Sequence, residues 1–197
     1  MEAKKREILP VQKDFFTPSP KNTQNPRRER TPVTTTLRPA QERDRALIAN
    51  IFNIYQHELS VYNDEITYLD ENGYFAPDTA DQILPFGDGV FPYIVEVDGK
   101  NAGILLITAS PYAPDDCNWR VEEFFIVRAA RGTGAALDAM RQIFSARPGK
   151  WNLSVFEKNA PARAFWTKLL AGLHITPEIR PSRDRGMIDL FFTVPEK

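Results

Sequence analysis

One cysteine and two histidines are all that 197 residues offer in thiol and imidazole chemistry. The lone Cys117 excludes an intramolecular disulfide and any CxxC pattern, a usage that fits a reducing cytosol and predicts a cytoplasmic protein. His57 and His174 stand far apart and without ligand spacing, so no metal is expected. No apolar run approaches the roughly 18 residues needed to cross a bilayer. Nor does an apolar stretch follow the basic Lys4-Lys5-Arg6 start, as a cleaved signal would require. A strong excess of one charge is also missing. With 25 Lys and Arg against 26 Asp and Glu, the net charge is -1, which argues against nucleic acid or a membrane as the partner. What is present is a 42% apolar content, enough for the core of one domain of this length.

Residues 1–33 read as a disordered extension. Pro10, Pro18, Pro20, Pro26 and Pro32 interrupt every helix there, and basic residues outnumber acidic ones. A docking arm, a proline-rich ligand and an inert tail all remain open. Residues 34–197 are expected to form the domain. A short strand is predicted over 33–38, with Pro39 opening a helix that runs to about Ser60 and turns Leu47, Ile48, Ile51, Phe52, Tyr55 and Leu59 to one face. An acidic, turn-rich stretch with a helical turn or two follows, to Val90. Strands 91–97 and 102–109 flank Asp98-Gly99, a hairpin signal. Strand 119–127 leads into a helix over 132–145 whose buried side is Ala136, Leu137, Met140, Ile143 and Phe144. Strand 151–156, with Trp151 packing in the core or at the sheet edge, precedes a helix from Asn159 to a stop at Gly172. Strands 174–179 and 187–194 close the domain.

The chemistry concentrates where the strand ending in Phe125-Ile126-Val127 meets Arg131-Gly132-Thr133-Gly134-Ala135-Ala136. The first amides of a helix lack intrahelical partners and sit at the positive end of its dipole. Small residues let a phosphate approach those amides, and Arg131 adds a fixed positive charge. The turn therefore suits an anion, most naturally a pyrophosphate. No GKS or GKT follows, which excludes a nucleotide P-loop. The position after an antiparallel hairpin disfavours a dinucleotide-binding βαβ unit.

In this context the chain resembles the GNAT superfamily of N-acetyltransferases. Arg131, Gly134 and Ala136 match the family motif Q/R-x-x-G-x-G/A, and Asn159 to Trp166 looks like its N-x-x-A-x-x-F-Y segment. The Val95 to Gly99 hairpin is similar to the one that precedes the motif strand. The likeness covers about residues 33–194. It implies an α/β (α+β) fold, with a mixed sheet of about seven strands, about four helices and a splay at the cofactor cleft. It also implies acetyl-CoA as cosubstrate. Its pantetheine arm would be held by backbone groups of Phe125 and Val127 beside Ile126, its pyrophosphate by amides from Arg131 through Gly132, Thr133, Gly134 and Ala135 to Ala136. Asn159 and Phe165 would touch it from the next helix.

The resemblance further implies direct attack of an amine on the thioester, which requires a base. Glu123 is the first candidate and Glu122 the second; Glu123 shares strand parity with Phe125 and Val127, a count that a bulge would disturb. Many members carry tyrosine where this chain has Trp166, and an indole is no comparable acid for the leaving thiolate. Between Arg45 and Lys100 there is no lysine or arginine but ten acidic residues, among them Glu58, Asp64, Asp70 and Asp88. That acidity either draws a cationic amine, held by Tyr55, Tyr62 and Tyr74, or is a plain solvated face. The expected partner is a small-molecule or peptide amine, with a homodimer left open. A catalytically silent coenzyme A-binding module and nucleic-acid binding through the first 33 residues are the competing readings.

Overall fold

The computed structural model describes residues 33–64, 68–75 and 88–196; the basic extension and parts of the acidic stretch lie outside the described residues. Strands β1 (Thr35–Pro39), β2 (Val90–Val97), β3 (Lys100–Thr108), β4 (Trp119–Ile126), β5 (Gly149–Phe156), β6 (Glu178–Pro181) and β7 (Met187–Val194) form one sheet in the order β1-β2-β3-β4-β5-β7-β6. Every neighbouring pair is antiparallel except β4 and β5, which run parallel. Among the described residues the α-helices are α1 (Arg45–Leu59), α2 (Ala135–Ala146) and α3 (Ala160–Gly172). This is the seven-stranded mixed sheet that the sequence suggests. No helix among the described residues is long and apolar enough to cross a membrane.

The helices cover opposite faces because their apolar stripes demand it. On α1, Ile48, Ile51 and Phe52 are buried against Ile94, Ile104, Leu106 and Phe125. On α2, Ala135, Ala139, Met140, Ile143 and Phe144 face the other side, where α3 adds Trp166, Leu169 and Leu170. Ala136 and Leu137, expected at the centre of that stripe, are half-buried at its margin. Trp151 anchors this layer as predicted, fully buried between Phe144 (ring centroids 4.9 Å apart) and Phe192 (6.5 Å, stacked).

Three boundaries differ from the sequence reading. Pro39 ends β1 instead of opening α1; it pairs with Tyr93 on an edge strand, where a missing N–H is tolerated. A short 3₁₀ turn, Glu42–Asp44, intervenes before Arg45. After α3 the left-handed stop is His174 (φ 58°), two residues beyond Gly172, and β6 begins only at Glu178. The outer edge of β1 is closed by Gln142 of α2, whose amide donates to Thr35 O at 2.9 Å and accepts from Leu37 N at 3.1 Å. That side chain substitutes for a further strand and blunts the edge.

An ion cluster ties β1 to the 3₁₀ turn. Arg38 donates to both carboxylate oxygens of buried Asp44 (2.8 and 3.1 Å) and to Glu96 (3.0 Å), while Gln41 N donates to Asp44 at 2.8 Å. The Arg38 hydrogen bonds hold the Asp44 carboxyl below its ordinary range. A group with a depressed folded-state pKa contributes stability above its unfolded value, and that contribution vanishes as pH falls through the folded value. Asp44→Ala is expected to destabilise the protein by about 2 kcal/mol at neutral pH, leaving Arg38 half-paired and the Gln41 amide without its acceptor. In urea melts the gap between variant and wild type should close below about pH 4. A gap independent of pH would refute this account of the cluster.

Candidate active site

The central event in the fold is the parting of β4 from β5. Their parallel pairing covers only Trp119–Trp151, Arg120–Asn152 and Val121–Leu153, whereas β5 stays paired with β7 out to Phe156. On the other side of β4, Val121 pairs with Ile107 and Glu123 with Leu106, so Glu122 is an inserted residue, a β-bulge. A bulge bends and twists its strand. Here it coincides with the last β4–β5 rung, and the two strands splay beyond it.

A cleft of about 440 Å³ opens in the splay. Its α1 wall carries Tyr55 and Gln56, its floor Glu122, Glu123 and Phe124, and its α3 wall Asn159, Phe165 and Trp166. Thus Glu122, Glu123, Asn159, Phe165, Trp166 and Tyr55, all singled out in the sequence, meet in one place. Tyr62 and Tyr74 do not line it; the Tyr74 amide is turned into a local loop by Asp70, at 2.7 Å.

The two glutamates differ sharply. Glu122 is exposed and accepts from Arg120 Nε at 2.7 Å. The rest of that guanidinium binds Asn152 Oδ1 (2.7 Å) and Ser154 Oγ (3.0 Å), and Ser154 donates to Asp189 at 2.6 Å. Arg120 therefore pins the strands together just where they separate. Glu123 turns toward α1 with Phe125, the parity expected from the sequence, and the Tyr55 hydroxyl donates to its carboxylate. The Tyr55 ring packs against Phe52 (5.8 Å) and Phe125 (5.3 Å). Burial pushes the Glu123 carboxyl up to about 8; the Tyr55 hydrogen bond opposes that rise, the Glu122 charge reinforces it and Arg120 opposes it. Burial, with Glu123 second, raises the Tyr55 hydroxyl as well.

At the rim, β4 runs through a 3₁₀ turn, Arg128–Ala130, into the loop before α2. Gly132 and Gly134 both take positive φ (71° and 100°), a backbone course open to glycine and strained for other residues. Thr133 Oγ1 donates to Ala130 O at 2.7 Å and locks the loop. Among the described residues, the amides of Gly132, Thr133, Gly134, Ala136 and Leu137 donate to no backbone carbonyl, and that of Ala135 reaches only Thr133 Oγ1, at 3.4 Å. Successive free amides at a helix N-terminus form an anion cradle.

Two expectations about this region need correction. Val127 N donates to Ala102 O at 2.8 Å. The Phe125 carbonyl also faces β3, standing 2.0 Å from where a Cβ on Gly103 would lie. Strand alternation then turns the backbone groups of Phe124 and Ile126, not those of Phe125 and Val127, toward the cleft. Arg131 is not aimed over the cradle either. Its guanidinium donates to Ile126 O (2.7 Å) and Glu58 (2.8 Å), and Arg128 joins the same carboxylate at 3.2 Å. Arg131 thereby braces the loop against α1. Asn159 caps α3, accepting from Ala162 N at 3.0 Å, which leaves its amide NH₂ to the cleft.

Sequence reading passed over Gln56, Arg120 and Ser154. Polar residues on a helix or strand look like solvated positions until tertiary pairing brings them to one opening.

The sequence matches no family profile and no curated protein. Solved structures are similar in fold. An N-acetyltransferase from Staphylococcus aureus is 16% identical with a TM-score of 0.60, covering 79% of this chain and 99% of its own. An acetyltransferase from Thermus thermophilus is 16% identical (TM-score 0.53, 81% and 95% covered). An acetyltransferase of the GNAT family from Staphylococcus aureus is 10% identical (TM-score 0.54, 80% and 99% covered). The chain has the GNAT fold.

Proposed function

We propose that this GNAT-fold protein is an N-acyltransferase that moves an acetyl group from acetyl-CoA to a primary amine of a cationic small molecule or a lysine side chain. The observation that carries the reading is the splayed cleft, with a half-buried carboxylate on its floor and a row of unpaired amides at its rim. The residues fit the cosubstrate. The Gly132 to Leu137 amides suit the pyrophosphate, and the β4 edge at Phe124 and the Ile126 amide, whose carbonyl is held by Arg131, suits the amide-bearing pantetheine arm. Asn159 NH₂ and the Phe124–Phe165–Trp166 cluster line the inner wall. When bound, acetyl-CoA supplies an activated acyl thioester.

The chain's own contribution is proton handling and orientation. An ammonium has no lone pair, so Glu123 first takes its proton. The nitrogen must shed two protons on its way from ammonium to amide: with a thioester bound, Glu123 would return one to the departing thiolate as the C–N bond replaces the C–S bond, and would pass the other to solvent. That return is nearly thermoneutral, since a carboxyl at about 8 faces a thiol of about 8.5. One residue can thus serve as base and then acid, and the indole at Trp166 need do neither.

The rate is expected to follow Glu123 ionisation. With a purified acceptor, kcat/KM should climb with pH and level off above about 8. In Tyr55→Phe the plateau should move to higher pH, because the hydrogen bond favouring the carboxylate is gone. A profile flat from pH 6 to 9 contradicts the assignment. A silent coenzyme A-binding module is favoured by one observation, the absence of a tyrosine at position 166. It predicts coenzyme A binding without thiol release across a panel of polyamines, aminoglycosides and lysine peptides.

A further inference from the structure

We infer that Gln56 is the residue that recognises the acceptor's ammonium group. This rests on the acyl-transfer reading and names a specificity determinant that nothing above assigns.

Gln56 follows Tyr55 on α1 and lines the same cleft as Glu123. Its Oε1 is buried and accepts no hydrogen bond. A buried acceptor left without a donor is unfavourable, and a ligand that supplies the donor recovers that loss on binding. The neighbouring groups narrow what the ligand must be. Each nitrogen of the Arg120 guanidinium already donates, to Glu122, Asn152 and Ser154. Tyr55 gives its single hydroxyl proton to Glu123. On this wall the acceptors open to a ligand are Gln56 Oε1 and the free lone pairs of Glu123. The opposite wall, on α3, offers donors in the Asn159 amide and the Trp166 indole.

A primary ammonium has three N–H donors on one small cation. It can give one proton to Glu123, to be removed, and direct a second at Gln56, which fixes the nitrogen and its emerging lone pair. An alcohol has one hydrogen and cannot satisfy both acceptors, and a quaternary ammonium has none. The site therefore selects primary amines over hydroxyl acceptors by hydrogen-bond count, not by charge alone.

The test uses the full chain labelled with ¹⁵N and three probes: propylammonium, tetramethylammonium and 1-propanol. Propylammonium should shift the Gln56 side-chain amide and the backbone amides of Glu122 and Glu123 saturably. The other two probes should bind about fivefold more weakly or worse, the value of one hydrogen bond. Gln56→Leu should weaken propylammonium by a similar factor, whereas Gln56→Glu, which keeps an accepting oxygen, should hold or tighten it. Equal binding of tetramethylammonium and propylammonium overturns the inference, and so does unchanged affinity in Gln56→Leu. The wild-type probe comparison decides the matter even where a variant folds poorly. Calorimetry with coenzyme A on the same samples separates the two levels. Coenzyme A bound alike by wild type and Gln56→Leu, with unaltered amine affinity, sinks the role of Gln56 alone. Wild type that ignores coenzyme A sinks the acyl-transfer reading beneath it.

Discussion

Glu123→Gln is expected to lower kcat about 10²–10⁴-fold, the usual worth of a positioned proton acceptor, and at the same time to make the protein more stable at alkaline pH. The two effects have one cause. Glu123 sits where burial disfavours its charge, with only the Tyr55 hydroxyl as a close donor. Its folded-state pKa of about 8 lies above the ordinary carboxylate value of about 4.3. A raised carboxyl contributes stability that is fully present below the unfolded pKa and is lost as pH rises through the folded one. Ionising this group at pH 8 therefore works against the fold by about 4–5 kcal/mol. Glutamine keeps the shape and never ionises, so the Tm difference from wild type should be near zero at pH 4 and grow steadily to pH 8. Glu122→Gln is the internal control. That carboxylate is exposed and held by Arg120, so its loss should change kcat by less than about tenfold. Equal losses in the two variants, or a stability gap that ignores pH, would remove Glu123 from the role proposed.

Gly134→Val carries the second large effect, on coenzyme A binding. Gly134 caps α2 at φ 100°, and a Cβ built there meets nothing closer than Asp138 Oδ2 at 4.0 Å. The core does not feel the added side chain. The local penalty is backbone strain of roughly 1–3 kcal/mol, a Tm loss of some degrees. The cradle suffers more, because its free amides converge only while Gly132 and Gly134 hold their left-handed turns. Losing two or more charge-assisted hydrogen bonds at 1.5–3 kcal/mol each weakens coenzyme A by about 10²-fold or more. Calorimetry reads this directly. Gly73, also at positive φ with open space around it, lies elsewhere and serves as control. Its valine variant should keep full affinity. Arg131→Glu is a poorer probe than the motif suggests. It would set a carboxylate against Glu58 and unseat the whole loop, so lost binding could not be ascribed to lost charge.

The parts legible in the sequence were those written in local chemistry. The strand ending at Ile126, the small-residue turn and the start of α2 announce themselves because glycine spacing and helix dipoles act within a few residues. The α1 stripe from Ile48 to Tyr55 follows from helical period alone. The parts that stayed hidden depend on pairing across the sheet. Nothing in Val121-Glu122-Glu123 marks Glu122 as a bulge; the insertion exists only relative to β3. Strand parity nevertheless identified Glu123 as the residue sharing a face with Phe125, because the bulge lies before that stretch and leaves its alternation intact. The same register defeated the assignment of backbone groups, for side-chain parity says which face a residue points to and nothing about which neighbour its amide meets. Pro39 was misread because proline is equally at home at the first turn of a helix and on a sheet edge. Arg131 was misread because its partner, Glu58, lies 73 residues away in the chain.

The most direct measurement is the response of individual amides to acetyl-CoA in a ¹H–¹⁵N correlation spectrum of the intact protein. Saturable shifts should appear at Gly132 through Leu137, at Phe124 and Ile126, and at the Asn159 side chain, with the α2–β1 contact at Gln142 left still. Shifts confined to other parts of the sheet, or none at millimolar acetyl-CoA, would contradict the account.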